Sequence, residues 1–360
     1  MPHSPQPPAD PARVMICDDS LVIRSAIARI LESDPGISVV ARVANGQAAL
    51  DALKLHHVDV VVLDIEMPVM DGMAALPALL AADPGLRIIM ASTLTTRGAD
   101  IALQAMRLGA ADYVPKPSAG GVASDRNFSV ELIEKIKGLA KLRRRTEGAL
   151  AAQVMLPEPL HLGPRPRKPL RLLAIGSSTG GPNALFALVP ALGKNLPVPV
   201  ILTQHMPPAF TPILAEHITR LGFMPCREAH SGDILHNGEI LLAPGDRHLL
   251  IHRHGASMVV ELSTAPPENF CRPAVDPMLR SACEATDGGL LVLMLTGMGH
   301  DGLLGTRDVV NAGGAAIAQD EASSVVWGMP GAIARESLAY AILPLAQIGA
   351  KTRSMLGARP

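Results

Sequence analysis

Aromatic side chains are scarce in this chain, with one Trp, two Tyr and five Phe in 360 residues. A surface that stacks nucleic-acid bases needs several such rings, so that class of binder is excluded. An excess of one charge is missing too. Lys and Arg total 32 against 33 Asp and Glu, a formal charge of −1. That balance is not the footprint of a nucleic-acid protein, and no nucleic-acid partner is expected. Cysteine is limited to Cys17, Cys226, Cys271 and Cys283, with no CxxC spacing. Four scattered thiols read as reduced and predict a cytoplasmic location. Long apolar runs are absent as well. Val58–Leu63 and Leu290–Leu295 fall far short of the ~20 residues that a membrane helix needs, so no direct membrane insertion is expected. Met1–Asp10 is Pro-rich and polar and carries no apolar signal core. No repeat of solenoid period is visible.

What is present is two α/β patterns separated by a compositional break, in a length that predicts about two domains. The first pattern alternates apolar strands (Val14–Cys17, Ser38–Val43, Val58–Leu63, Arg87–Ala91, Asp112–Val114) with helical stretches (Leu21–Glu32, Gly46–Leu55, Met73–Leu80, Asp100–Leu108, Phe128–Leu142). That alternation implies a doubly wound parallel sheet with ligands at the strand C-termini. The break, Lys141 to Pro169, is basic and Pro-rich and reads as a solvated, extended linker. The second pattern opens with the strand Leu170–Gly176 running into a Gly-rich turn. Further strands follow at Pro199–Thr203, Glu239–Ala243, Leu249–His252, Met258–Leu262 and Leu290–Thr296. Helical patterns fit Gly180–Leu192, Ala209–Leu221, Ala274–Ala285 and Gly302–Asn311. Residues 224–267 read as a β insertion within a second parallel α/β domain. The expected boundaries are 12–135, a linker at 136–168, and 169–355.

Asp18 and Asp19 follow the first strand, Asp64 ends the third, Ser92 follows the fourth and Lys116 follows the fifth. One such Asp or Ser is often only a helix cap. Five strand ends meeting at one edge make an acidic pocket that suits Mg²⁺, with a hydroxyl and an ammonium placed for phosphoryl transfer. The segments CDDS (17–20), LDIEMPVMDG (63–72), MAS (90–92) and DYVPKP (112–117) resemble a response-regulator receiver domain, which is flavodoxin-like. The resemblance implies Asp64 as phosphoacceptor and Mg²⁺ held by Asp18, Asp19, Asp64 and the Glu66 carbonyl. It also implies Ser92, Tyr113 and Lys116 as the switch residues and a histidine kinase as phosphodonor.

In the second pattern, Gly176-x-Ser178-x-Gly180 lies between a strand and a helix, the setting of a nucleophile elbow. A P-loop is excluded because no Gly-Lys-Ser/Thr follows. A dinucleotide site would want an acid at the end of the next strand, where Leu202-Thr203-Gln204-His205 stands. A plain N-cap serine is the alternative. His205 and Asp301 also fall at strand ends, giving a Ser-His-Asp constellation: nucleophile, general base and orienting carboxylate. His300 competes for the base role but is expected to flank the cleft. His248, His252 and His254 lack the further ligands of a zinc site.

The segments IGSSTGGPNAL, TQHMPPAFT, APGDRHL, CRPAVDPML and LTGMGHDGLLG resemble the catalytic domain of chemotaxis protein-glutamate methylesterases, the CheB family, with a Rossmann-like fold. The resemblance implies Ser178, His205 and Asp301 as the triad. It places the oxyanion region at the backbone of Thr179 and Met298, and has Thr179, Met298 and Arg272 line the cleft. It further implies a monomer that hydrolyses glutamyl methyl esters on methylated chemoreceptors. Deamidation of receptor glutamines, activation by phosphorylation and esterase chemistry without a cofactor are implied with it. A non-catalytic signalling adaptor and a receiver-coupled transcription regulator are the alternatives, the latter requiring a helix-turn-helix with a basic face.

Overall fold

The computed structural model describes residues 10–93, 95–116, 126–148 and 161–358. Met1–Ala9, Pro117 and the middle of the expected linker, 149–160, lie outside the described residues. The chain divides into two compact units.

The elements of the first part are β1 (Ala12–Cys17), α1 (Leu21–Glu32), β2 (Ile37–Val43), α2 (Gly46–Leu53), β3 (Val60–Asp64), α3 (Gly72–Ala82), β4 (Arg87–Ser92), α4 (Thr96–Arg107), β5 (Asp112–Pro115) and α5 (Arg126–Gly148). Three helix starts are fixed by side chains that accept a free backbone N–H. Ser20 caps α1 from Ile23 N, Asn45 caps α2 from Ala48 N, and Asp71 caps α3 from Ala74 N. The sheet is parallel, in the order β2-β1-β3-β4-β5. β3 is buried at every residue, as a strand covered on both faces must be. The order reverses at β1, so the carboxyl ends of β1 and β3 flank the crevice of the doubly wound fold.

The second part runs β6 (Leu172–Ser177), α6 (Gly181–Leu192), β7 (Val200–Gln204), α7 (Thr211–Thr219), β8 (Cys226–Glu228), β9 (Ile240–Leu242), β10 (His248–His254), β11 (Ser257–Ser263), α8 (Val275–Ala285), β12 (Leu290–Met294), α9 (Leu303–Ala312), β13 (Ala315–Gln319), α10 (Met329–Arg335), β14 (Ala339–Leu343) and α11 (Leu345–Met355). Seven strands form one parallel sheet in the order β14-β13-β12-β6-β7-β9-β8. The strand order reverses around β6, so the crevice opens beyond the ends of β12, β6 and β7. Burial of Leu172, Ala174, Ile201, Val292, Ala316 and Met278 builds the core on one sheet face.

Three expectations are corrected. First, the segment expected as a β insertion is only partly one. β8 and β9 join the main sheet at its edge, and only β10–β11 forms a separate antiparallel pair. Three-residue strands carry no period that tells them from an insertion. Second, α5 continues to Gly148 instead of yielding to a linker at 136. Arg143 is buried, with Nη1 2.5 Å from the Val58 carbonyl and Nη2 2.9 Å from Asp83. Arg144 reaches Asp59 at 3.0 Å. Their carboxylate partners are ~60–85 residues away in sequence, so the run looked solvated. Third, the end of the linker lies bonded along the second unit. Gly163 N donates to Ala339 O, Arg167 N to Gly313 O, and Lys168 Nζ to Asp287 O at 2.6 Å.

Candidate active site and receiver pocket

Ser177 on β6 is paired with Gln204 on β7. Ser178 and His205 directly follow these paired strand ends, on neighbouring strands ~4.8 Å apart, and His205 N donates to Ser177 O at 3.1 Å. The turn is held by three bonds: Ser178 N to Thr296 O at 3.0 Å, Gly181 N to Ser178 O at 2.8 Å, and Gln204 Nε2 to Ser178 O at 2.9 Å. Gly181 is required here, since a Cβ would lie 1.9 Å from Gln204 Oε1. Gly297 is required too, since its Cβ would meet Met329 Sδ at 2.4 Å and Ser178 Cβ at 2.9 Å.

Asp301 reaches this edge from the loop after β12. It is buried, and His205 Nε2 lies 2.8 Å from its Oδ2. Oδ2 also accepts from Val275 N at 2.6 Å, while Oδ1 accepts from Asp276 N at 3.1 Å and Asn269 Nδ2 at 2.9 Å. Burial opposes ionisation of Asp301, but the His205 bond, its charge and the N–H donors outweigh it and hold the carboxyl below its usual range. Burial likewise opposes the imidazolium of His205. The bonds to Asp301 and Cys271 outweigh that and push it up to about 10.

The other face of the ring is occupied: Cys271 Sγ lies 3.4 Å from His205 Nδ1. Among the described residues the Ser178 hydroxyl makes no hydrogen bond, and the structure does not join it to His205. Neither Thr179 N nor Met298 N donates a hydrogen bond among the described residues, which leaves two N–H groups beside the serine turn. Arg272 does not present a free guanidinium. Its Nε and Nη2 lie 2.9 and 2.6 Å from Asp246 Oδ1, and Nη1 donates to the Thr264 and Ala265 carbonyls. His300 is exposed. His248 is structural, accepting from Ala274 N at 3.2 Å.

In the first unit Asp18, Asp19 and Asp64 bring ligand oxygens within 4.8 Å of one another. Asp18 and Asp64 are buried, and Lys116 Nζ lies 2.9 Å from Asp18 and 2.6 Å from Asp64. Burial, with Asp18 contributing, raises the Asp64 carboxyl despite Lys116. One ammonium leaves two of three carboxylate charges uncompensated, and the donor set is all oxygen. Both features fit a hard divalent cation such as Mg²⁺. Ser92 is buried at the end of β4, its hydroxyl 3.2 Å from the Thr93 carbonyl. Tyr113 is buried with the Lys135 ammonium 5.0 Å from its ring, and burial drives its hydroxyl well above the usual value. Glu66 N donates to Asp64 Oδ1 at 3.3 Å.

The CheB methylesterase family profile matches residues 173–352, and the response regulator receiver domain profile matches residues 14–122. A protein-glutamate methylesterase/protein-glutamine glutaminase of Paramagnetospirillum magneticum is 49% identical, over 96% of each chain. A second, from Rhodospirillum centenum, is 51% identical over 95% of this chain and 93% of its own. The chain belongs to the CheB methylesterase family. The crystal structure of the Thermotoga maritima CheB methylesterase catalytic domain covers 53% of this chain and all of its own, at 36% identity and a TM-score of 0.51. This is a family of carboxylic-ester hydrolases, and in this chain the hydrolase part stands beside a receiver domain. Among the described residues no helix is long and apolar enough to cross a membrane.

Sequence reasoning did not find Asn269, Cys271 and Asp276, which surround this member's dyad. Asn269 Nδ2 bridges Asp301 Oδ1 at 2.9 Å and Asp276 Oδ2 at 3.0 Å. Asp276 is fully buried, with burial and the nearby Asp301 raising its carboxyl, and its Oδ1 accepts from Gly305 N at 2.7 Å. The one available signal was the CRPAVDPML stretch, which was read for Arg272 alone.

Proposed function

We propose that this chain is a phosphorylation-activated protein-glutamate methylesterase that also deamidates glutamine, acting on methylated chemoreceptors. The proposed organisation is a receiver domain that opens at residue 12 and runs on through α5, and a catalytic domain at 169–355. The His205–Asp301 contact of 2.8 Å, beside Ser178 at the next strand end, is the observation that carries the reading.

Ser178 Oγ attacks the side-chain acyl carbon and gives its proton to His205. Because Nε2 is committed to Asp301, the accepting nitrogen is Nδ1. The negative oxygen that forms is stabilised by the N–H groups of Thr179 and Met298. The imidazolium returns its proton to the departing group: the ester oxygen leaves as methanol, or, from glutamine, the amide nitrogen leaves as ammonia. Water then repeats the exchange on the acyl-serine, releasing glutamate and restoring Ser178. Asp301 fixes the ring and stabilises its charge.

In the receiver, Asp64 accepts a phosphoryl group from a histidine kinase. Asp18, Asp19, Asp64 and the Glu66 carbonyl would hold Mg²⁺, which supplies charge neutralisation at the transferring group. Lys116 pairs with the same group, and Ser92 and Tyr113 read it out by rearranging. Action in the cytoplasm as a monomer completes the reading.

The test is methanol release from methylated receptor membranes, with and without Mg²⁺ and a small phosphodonor. Release that rises with the phosphodonor supports the reading. No release from folded protein overturns the substrate, and release indifferent to the phosphodonor overturns the switch.

A further inference from the structure

Phe270 is 93% exposed and sits at the tip of a tight turn. Glu268 and Cys271 exchange both backbone hydrogen bonds, Glu268 N to Cys271 O at 3.1 Å and Cys271 N to Glu268 O at 2.9 Å. The two residues between them, Asn269 and Phe270, have φ of 52° and 63°. That is the pattern of a type I′ hairpin turn, whose favoured pair is Asn-Gly. Asn fits the first position. A bulky aromatic at the second is sterically disfavoured and persists only where its surroundings hold it.

The surroundings that hold it are the catalytic residues. Asn269 is tied to Asp301 and Asp276, and Cys271 lies against His205 Nδ1. Glu268 is clamped by a bidentate pair with Arg280, at 2.7 and 2.6 Å. Both neighbours of Phe270 therefore touch the dyad or its carboxylate partner. The ring between them turns away from the protein and stands in water at the lip of the site. Neither folding nor the chemistry uses a solvated aromatic in a disfavoured backbone conformation. A polypeptide surface brought to Ser178 would cover it, and burying the ring there would contribute to the binding.

We infer that Phe270 is a specificity-determining residue that packs on the apolar side chains flanking the esterified glutamate of a protein substrate. It separates that substrate from small free esters. The inference rests on the proposed methylesterase reading and names the contact through which the substrate is recognised.

The experiment compares wild type, Phe270→Ala, Phe270→Leu and Phe270→Gly on two substrates, methylated receptor membranes and p-nitrophenyl acetate. Removing the ring should raise KM for the receptor roughly tenfold or more, with kcat changed less than about twofold. The small ester should be turned over as by wild type. Leu should restore most of the receptor affinity. Gly should lose it as Ala does while melting no lower than Ala, because Gly accepts the positive φ. An equal fall on both substrates would make Phe270 a structural prop and overturn the assignment. Unchanged receptor KM in Phe270→Ala would overturn it as well. A wild type that cleaves p-nitrophenyl acetate but releases no methanol from receptors would overturn the substrate reading, and the assignment with it.

Discussion

Cys271 Sγ lies 3.4 Å from His205 Nδ1, on the side of the imidazole opposite Asp301. Under the proposed mechanism, the thiol thus occupies the nitrogen that would receive the Ser178 proton. Removing it frees that nitrogen and takes away one of the interactions that raise the imidazole. Cys271→Ala should therefore stay active, and the acid limb of its kcat/KM profile should move to lower pH. A thiol-alkylating reagent should inactivate the wild type and spare Cys271→Ala. Full activity of the alkylated wild type would separate Cys271 from the proposed role of His205.

The pH dependence follows from the same ring. A general base works in its neutral form, so activity should climb above pH 7 with its midpoint near the His205 value of about 10. Stability runs the other way. A raised histidine contributes fully below its unfolded value of 6.5, and the contribution fades as pH rises toward about 10. The lowered Asp301 contributes above its unfolded value of 3.8, and its share is lost on acidification below that. The pair should thus stabilise most between these two unfolded values. Melting temperatures of wild type and His205→Gln across pH check this: their difference should be largest there and shrink toward pH 10.

Asp301→Asn should lower kcat by about 10²–10⁴-fold, since the amide cannot stabilise the imidazolium or hold the productive tautomer. The buried carboxylate also accepts from Val275 N, Asp276 N and Asn269 Nδ2. Asn269→Ala should consequently cost ~1–3 kcal/mol in stability by leaving buried acceptors unpaired. Its activity should fall less than that of Asp301→Asn. Steady-state kinetics with denaturant melts of both variants provide the check.

In the receiver pocket, Asp64→Asn should abolish labelling by a small radioactive phosphodonor. Lys116→Ala leaves Asp18 and Asp64 without the ammonium at 2.9 and 2.6 Å. That variant should raise the Asp64 carboxyl further and retain Mg²⁺ binding while labelling poorly. Mg²⁺ titration and labelling of the two variants measure this. Label persisting in Asp64→Asn would move the phosphoacceptor elsewhere.

Much of this architecture was legible because the central strands are buried on both faces and read as unbroken apolar runs, as β3, β6 and β12 do. The strand-end residues Asp64, Ser178 and His205 could be placed because parallel α/β sheets put chemistry at strand C-termini. The short strands β8 and β9 were not placed, since three residues carry no period. Past Asn311 the elements β13, α10, β14 and α11 were not recognised at all. Arg143 and Arg144 were misread because a basic run looks the same whether water or distant Asp59 and Asp83 receive it. Asn269, Cys271 and Asp276 were missed for a related reason. Their roles come from contacts to Asp301 and His205 made across the fold, and no spacing in the chain announces them.

The central claim is that Ser178, served by His205 and Asp301, is the nucleophile, although the structure sets His205 against Cys271. The most direct test is to treat the folded protein with a fluorophosphonate ester and locate the adduct by peptide mass spectrometry. A single adduct on Ser178, absent from Ser178→Ala and formed far more slowly by His205→Gln, is the predicted result. An adduct on Cys271 with Ser178 unmodified would contradict it.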